Sequence, residues 1–392
     1  MKRCCPICES REATLVFRQE FSQMSGGVIV RGYDVVVCRG CGFGFADGIP
    51  SQEQFDAYYR DASKYENQDR AGESSSCAIE GYRVIADRIS GLLPGRSNRI
   101  IDMGCATGGL LSLLKERGYT NIMGVDPSPA CAEAALRVHG VRVLNCAISG
   151  FRAKEGPVDA MLLCSVLEHI QDLRGALLEL RESIADTGLL YVEVPDVTRF
   201  AAFASAPFQQ FSVEHINYCS LSSLCNLAQS VGFSLVEAWS DERRMGASVD
   251  PALCAAFRKS NAPSRQAQRD TETLPALTFY VDASKRVESV ILATIARVVE
   301  TRFPIVVWGT GTHTLRLLAT SNLGDADIRA YVDSNPRYWG KSLKGIPIIS
   351  PEDLRHHNEP ILVSSQVYQS EIAAHIRDDL KLGNELILLY RS

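Results

Sequence analysis

Arg99-Ile-Ile-Asp-Met-Gly-Cys-Ala-Thr-Gly-Gly-Leu-Leu-Ser-Leu-Leu-Lys, followed by Asn121-Ile-Met-Gly-Val-Asp-Pro, decides how this chain folds. Ile100 and Ile101 read as a short buried strand ending at Asp102. Gly104, Gly108 and Gly109 permit a tight turn with the backbone close to a ligand. Leu110, Leu111, Leu113 and Leu114 then give a helix its apolar face. A second apolar strand, 122–125, ends at Asp126. The pattern is half of a doubly wound α/β unit, with ligand groups at the carboxyl ends of its strands.

Two ligands fit such a unit. A dinucleotide needs helix N-terminal amides facing a pyrophosphate, and Gly-Cys-Ala-Thr-Gly-Gly matches G-x-G-x-x-G only loosely. S-adenosylmethionine has no phosphate but carries an α-amino group, a sulfonium and a ribose diol. A carboxylate closing the first strand, Asp102, suits the amino group. One closing the second, Asp126, can accept from both ribose hydroxyls. Asp-x-Gly-x-x-x-Gly followed by Gly-Val-Asp-Pro-Ser resembles the cofactor site of class I methyltransferases. The resemblance implies cofactor contacts from Asp102, Gly104, Cys105, Gly108, Asp126 and Pro127, and from Ser165 after the fourth strand.

Outward from this stretch the α/β alternation continues. Helix 130–138, strand 141–144, strand 158–164, helix 173–184, strand 188–195, helix 221–230 and strands 233–239 and 252–257 fit a seven-stranded sheet with a final antiparallel hairpin. The fourth strand ends in Cys164-Ser-Val-Leu-Glu-His-Ile, without the Asn/Asp-Pro-Pro-Tyr of many methyltransferases acting on nitrogen. Glu168 and His169 follow it, and the apolar neighbours of His169 point to a structural role.

Towards the N-terminus, Cys5-Pro-Ile-Cys8 and Cys38-Arg-Gly-Cys41 are two C-x-x-C knuckles. Four thiolates, from Cys5, Cys8, Cys38 and Cys41, leave a tetrahedral ion no open position, so the expected ion is structural zinc. Strand-like runs at 14–17 and 28–37 lie between, as in a zinc ribbon. The expected division is a zinc module at 1–50, a linker and helical lid at 51–94 and the methyltransferase core at 95–258. Beyond lie a linker and helix at 259–302 and a Rossmann-like domain at 303–392. Residues 54–59 read as a short amphipathic helix, and the polar loop after it carries Tyr65, a candidate for the acceptor. Residues 258–282 read as an irregular linker and 283–300 as a helix packing one face. The last domain opens at Pro304-Ile-Val-Val-Trp-Gly. Its glycine turn, 309–311, lacks a third glycine, which argues against NAD despite Asp333. His313 reads as a surface histidine.

Composition sets limits. The chain of 392 residues has a formal net charge of −5 and thirteen cysteines. No basic patch stands out, which argues against a nucleic-acid partner. No apolar run approaches the ~20 residues of a membrane span. Met1-Lys-Arg-Cys-Cys-Pro lacks the apolar segment of a signal peptide. Scattered thiols point to a reducing cytoplasm.

The most unusual polar cluster is Pro207-Phe-Gln-Gln-Phe-Ser-Val-Glu-His-Ile-Asn-Tyr, after the fifth strand, beside the expected point of methyl transfer. Glu214 next to His215 suits a general base, and Asn217 is a candidate for the acceptor. The alternative is a loop histidine holding the next helix. Paired Cys knuckles, a class I core with Glu-His after strand five and a Rossmann-like C-terminal domain together resemble the nucleotide-sugar C-methyltransferases of deoxysugar pathways. In that family the motif reads Tyr-x-Glu-His; here Ser212 takes the tyrosine position. The resemblance implies His215 as base towards a carbon beside a ketone, Glu214 as its partner, a nucleotide-linked sugar as acceptor, and zinc remote from the chemistry. Two other readings stand: an O-methyltransferase of a sugar or small molecule, and a non-catalytic cofactor-binding scaffold.

Overall fold

The computed structural model describes residues 2–23, 30–62, 76–148, 151–153, 156–245, 248–260 and 267–390. Tyr65 lies outside them. The N-terminal module contributes β1 (Ala13–Glu20), β2 (Gly32–Cys38) and β3 (Gly44–Asp47), paired antiparallel in that order. Helix α1 (Gln52–Ala62) follows, and α2 (Ser76–Leu92) leads to the central sheet.

That sheet begins with β4 (Ile100–Met103), α3 (Gly109–Glu116), β5 (Ile122–Asp126), α4 (Pro129–His139) and β6 (Val143–Asn145). It continues through β7 (Val158–Cys164), α5 (Leu173–Ser183) and β8 (Ile184–Pro195). Two residues, β9 (Asn217–Tyr218), leave it to pair with β3 as the fourth strand of the N-terminal sheet. After α6 (Leu221–Ser230) the hairpin β10 (Phe233–Met245) and β11 (Ser248–Lys259) completes seven strands in the order β10-β11-β8-β7-β4-β5-β6. The strands from β4 to β8 run parallel, while β11 pairs antiparallel with both β8 and β10. The sheet is the class I methyltransferase sheet expected from the sequence. Central strands such as Val158-Asp-Ala-Met-Leu-Leu-Cys are apolar on both faces because helices cover both. Ser128 caps α4 by accepting from the Cys131 amide, with Pro129 in the first turn and Gly140 left-handed at the end.

The long helix α7 (Thr273–Thr301) leads to a second α/β unit. Its elements are β12 (Ile305–Trp308), α8 (Thr312–Thr320), β13 (Ile328–Val332), β14 (Ser342–Leu343), β15 (Ile346–Ile349), β16 (Ile361–Val363), α9 (Gln369–Ala374) and β17 (Leu386–Leu388). The order β14-β15-β13-β12-β16-β17 places a topological switch point between β12 and β16.

Two expectations are corrected here. The stretch 258–282 is not wholly irregular. Helix α7 starts ten residues early, at Thr273, because Leu277, Tyr280, Val281 and Ser284 carry its buried stripe. Nor is the module of paired cysteine knuckles remote. Cys5, Phe43 and Phe45 share one apolar cluster with Leu163, Val194 and Leu224 of the central domain, and β9 begins two residues after His215.

Candidate active site

The turn after β4 is built by two close approaches. Gly104 and Gly108 hold positive φ angles of 71° and 80°, and a Cβ at Gly104 would stand 2.8 Å from Val166 Cγ2. Asp126 clamps the turn and its own strand end: Oδ2 accepts from the Ala106 amide at 2.9 Å and Oδ1 from the Ser128 amide at 2.9 Å. Asp102 is 3% exposed. Burial, and after it the charge of Asp126, pushes its carboxyl up to about 8. A cationic amino group is the partner that restores its charge.

Gly104, Asp126, Pro127 and Ser165 line a cavity of 1360 Å³. Cys105 and Gly108 do not. The Cys105 thiol fills the space left by Gly124, where a Cβ would sit 2.3 Å from it. Gly108 serves as the left-handed cap of α3. Asp102 is set back from the wall.

On the acceptor side the same cavity meets Ser212, Glu214 and His169. The His169 and His215 rings meet edge to face with centroids 5.0 Å apart. His169 Nδ1 lies 3.0 Å from the Glu214 carbonyl oxygen. A carbonyl only accepts, so Nδ1 carries a hydrogen; in the neutral ring the lone pair is then on Nε2. Glu168 Oε1 stands 3.8 Å from that Nε2, and Tyr58 Oη donates to Glu214 Oε1 at 3.0 Å. Ser212 Oγ accepts from the main-chain amides of both Glu214 and His215, at 3.2 and 3.1 Å, so the motif turn is closed by this side chain. Asn217 does not reach the cavity. Its amide donates to Leu167 and Ile170 carbonyls at 2.8 and 2.7 Å, and its oxygen accepts from Arg3 at 3.0 Å. That is an internal brace and corrects the acceptor role expected for it.

Two groups on the wall were read otherwise in the sequence. His169 belongs to the cluster and not to a separate core; the signal was present in Leu167-Glu-His directly after the fourth strand. His313 is half-buried against Tyr390, and burial together with the Arg316 charge pushes it down to about 3. The cavity runs on past Gly309, His313, Asp333 and Ser364 at the switch point of the second sheet. There Asp333 Oδ2 accepts from the Thr310 amide and hydroxyl at 3.0 and 2.5 Å. The cavity exceeds the ~300–1,000 Å³ typical of one small-molecule site, so it has room for a cofactor and a second ligand.

The four knuckle cysteines converge. Cys5 Sγ lies 3.5 Å from Cys41 Sγ and Cys8 Sγ 3.5 Å from Cys38 Sγ, and all four fall within 4.8 Å of one another. Thiolates ~2.3 Å from a tetrahedral ion stand about 3.8 Å apart, so the set fits zinc.

Sheet order, glycine turn and strand-end carboxylates together define a class I S-adenosylmethionine-dependent methyltransferase. The family model described as a methyltransferase domain matches residues 78–238. That stretch is the methyltransferase domain of the chain. A second model, described as C2185-like, N-terminal, matches residues 302–387. The C-methyltransferase NovU of Streptomyces niveus is 28% identical over 385 residues, covering 93% of this chain and 87% of that protein. The trans-aconitate 2-methyltransferase of Methylobacterium nodulans is 31% identical over 121 residues, 30% of this chain and 46% of its own. Among solved structures, magnesium protoporphyrin IX methyltransferase from Synechocystis PCC 6803 aligns over 53% of this chain and 99% of its own, at 12% identity and a TM-score of 0.41. Among the described residues no helix is long and apolar enough to cross a membrane.

Proposed function

We propose that the enzyme methylates a carbon beside a ketone in a nucleotide-linked sugar, with His215 as the base. The observation that carries this reading is the pair of His169 and His215 rings 5.0 Å apart, with Glu168 grouped beside them: His169 and Glu214 line the cavity that also takes in Gly104 and Asp126, and His215 stands directly behind His169. The NovU relative, whose name is that of a C-methyltransferase, aligns over nearly the whole chain and supports carbon as the acceptor atom. The continuation of the cavity to Gly309 and Ser364, at the second switch point, supports an acceptor with a nucleotide tail.

S-adenosylmethionine supplies a methyl group already activated by its positive sulfur. Asp126 would hold the ribose hydroxyls and Asp102 the amino group. His215 withdraws a proton from the acceptor carbon. The electron pair passes to the neighbouring carbonyl oxygen and returns through the carbon as the new bond to the methyl forms; the methyl–sulfur bond would break with its pair left on sulfur, and S-adenosylhomocysteine would leave. A positioned base contributes roughly 10²–10⁴-fold, and alignment of the two reactants contributes more. Glu214, anchored by Tyr58, orients the segment. Zinc on Cys5, Cys8, Cys38 and Cys41 is structural, with every coordination position filled by protein.

The test is a pooled nucleotide-sugar assay with isotopically labelled methyl cofactor, read by mass spectrometry, with the label then located by NMR. Label on oxygen would establish O-methylation instead. His215→Ala is expected to fold, to bind S-adenosylhomocysteine normally and to lose roughly 10²-fold or more in turnover. Near-normal turnover removes His215 from the mechanism. One observation favours a second assignment, His169 as base: its ring lines the cavity and His215 does not. A larger loss in His169→Ala than in His215→Ala selects it.

A further inference from the structure

The zinc module and the two histidine turns meet at a single arginine. Arg3 stands two residues before the knuckle cysteine Cys5. The Asp47 carboxylate holds the main-chain amides of Lys2 (2.8 and 3.0 Å) and Arg3 (2.7 Å). Asp47 closes β3, whose Phe45 pairs with Asn217 of β9. From this anchorage the Arg3 guanidinium passes over the Phe45 ring, 5.6 Å from its centre. It donates to the carbonyls of Ala46 (3.4 Å), Ile216 (3.3 Å) and Gln171 (2.5 Å) and to Asn217 Oδ1 (3.0 Å).

Two of those acceptors flank the cluster directly. Ile216 follows His215, and Gln171 lies two residues past His169. Asn217 carries the linkage further, because its amide donates to Leu167 and Ile170, the carbonyls on either side of Glu168-His169. The Ile216 amide in turn donates to the Glu168 carbonyl at 2.8 Å. One guanidinium and one carboxamide therefore fix the main chain around both imidazoles. Only a guanidinium offers five N–H groups in a planar fork.

We infer that Arg3 is a positioning residue for the His169–His215 pair, and that closure of the Cys5–Cys8 knuckle on its metal sets where Arg3 stands. Metal loading then governs the geometry of the acceptor side, although neither Arg3 nor the metal touches a reactant. A small thiolate module gains its order with its ion, and Arg3 passes that order across the β3–β9 junction. The consequence for turnover rests on the functional reading above; the geometry is tested without any acceptor.

The experiment uses the full chain labelled with ¹³C at the histidine ε1 carbons, with signals assigned through His169→Asn and His215→Asn. Wild type, Arg3→Met, Arg3→Lys and chelator-treated wild type are compared, and S-adenosylhomocysteine affinity is measured alongside by calorimetry. The expected result is displacement or broadening of the His169 and His215 signals in both variants and on chelation. The signals of His356, His357 and His375 stay in place, and the affinity stays within about twofold. Unmoved His169 and His215 signals in Arg3→Met, or after chelation, overturn the inference. So does disturbance of all seven histidine signals together with loss of cofactor binding in both variants, since a positioning role leaves the fold standing. Full turnover in His215→Ala would sink the functional reading while leaving this outcome intact.

Discussion

Asp102 is where a single residue makes a measurable statement. Its folded carboxyl titrates near 8, against about 3.9 in an unfolded chain. Between those values the folded protein binds one proton more than the unfolded one, so stability of the ligand-free enzyme falls as pH rises from about 4 to 8. The slope from this group is at most about 1.4 kcal/mol per pH unit. Urea midpoints across this range are expected to show the fall, and Asp102→Asn to flatten it. Binding of a cofactor whose amino cation meets Asp102 should release a proton at pH 7. Calorimetry in buffers of different ionisation enthalpy detects that release, and Asp102→Asn abolishes it. Asp126→Ala removes a carboxylate that organises the turn as well as the one expected to hold the ribose. Cofactor affinity should drop by about 1.5–3 kcal/mol, at least tenfold. The placement of both aspartates was legible in the sequence because each follows a short apolar run, Asp102 ahead of the Gly104 turn and Asp126 ahead of Pro127. Asn217 was misread for the opposite reason. Nothing local tells an amide braced against Leu167, Ile170 and Arg3 from one facing a ligand, since all three partners are distant in the chain. Ser212 was likewise read only as a missing tyrosine, whereas its hydroxyl closes the motif turn. Ser212→Tyr is therefore expected to loosen the turn and not to restore a lost function.

Elements of the central sheet were readable from apolar runs and glycine stops; what escaped was short or joined to distant partners. A strand of two residues, Asn217–Tyr218, has no periodicity to detect, and its partner Gly44–Asp47 lies far away in the chain. The early turns of α7 were obscured by the polar residues ahead of them, although Leu277, Tyr280, Val281 and Ser284 keep the helical spacing. The start of that helix depends on Asp270, which is buried. Its Oδ1 accepts from the Glu272 and Thr273 amides at 2.9 and 3.1 Å. Its Oδ2 accepts from the Ser220 and Thr273 hydroxyls at 2.5 and 2.6 Å. Its own amide donates to the Cys41 carbonyl at 2.8 Å. One side chain thus caps α7 and ties it to the capping box of α6, while its backbone meets the second knuckle. Asp270→Ala strands several buried donors, and a loss of about 3 kcal/mol is expected, seen as a lower denaturant midpoint. An unchanged midpoint would show that the helix start is held by packing alone.

At the scale of the whole molecule, the three sheets converge on the segment carrying the Glu-His motif, and the C-terminal domain grips it through Arg316. This side chain lies over the Phe208 ring at 4.1 Å, donates through Nε to Gln19 Oε1 at 3.2 Å and pairs with Glu288 of α7 at 2.5 Å. Gln19 in turn donates to the Phe211 carbonyl at 2.8 Å. The N-terminal sheet, the acceptor segment, the long helix and the last domain therefore share one buried cation. No local pattern marks it, because an arginine inside a helix reads as a solvated face until its neighbours are known. A buried ion pair contributes little net stability over an apolar pair of similar size, but removing one partner leaves a charge without compensation. Arg316→Met alone and Glu288→Met alone are each expected to cost about 3–5 kcal/mol. The double variant should recover most of that loss, since neither charge is then left buried and Met can still cover Phe208. Chemical denaturation of the three variants closes the cycle. Simple additivity would show that Arg316 and Glu288 do not compensate one another, and that the domains are held together by apolar packing alone.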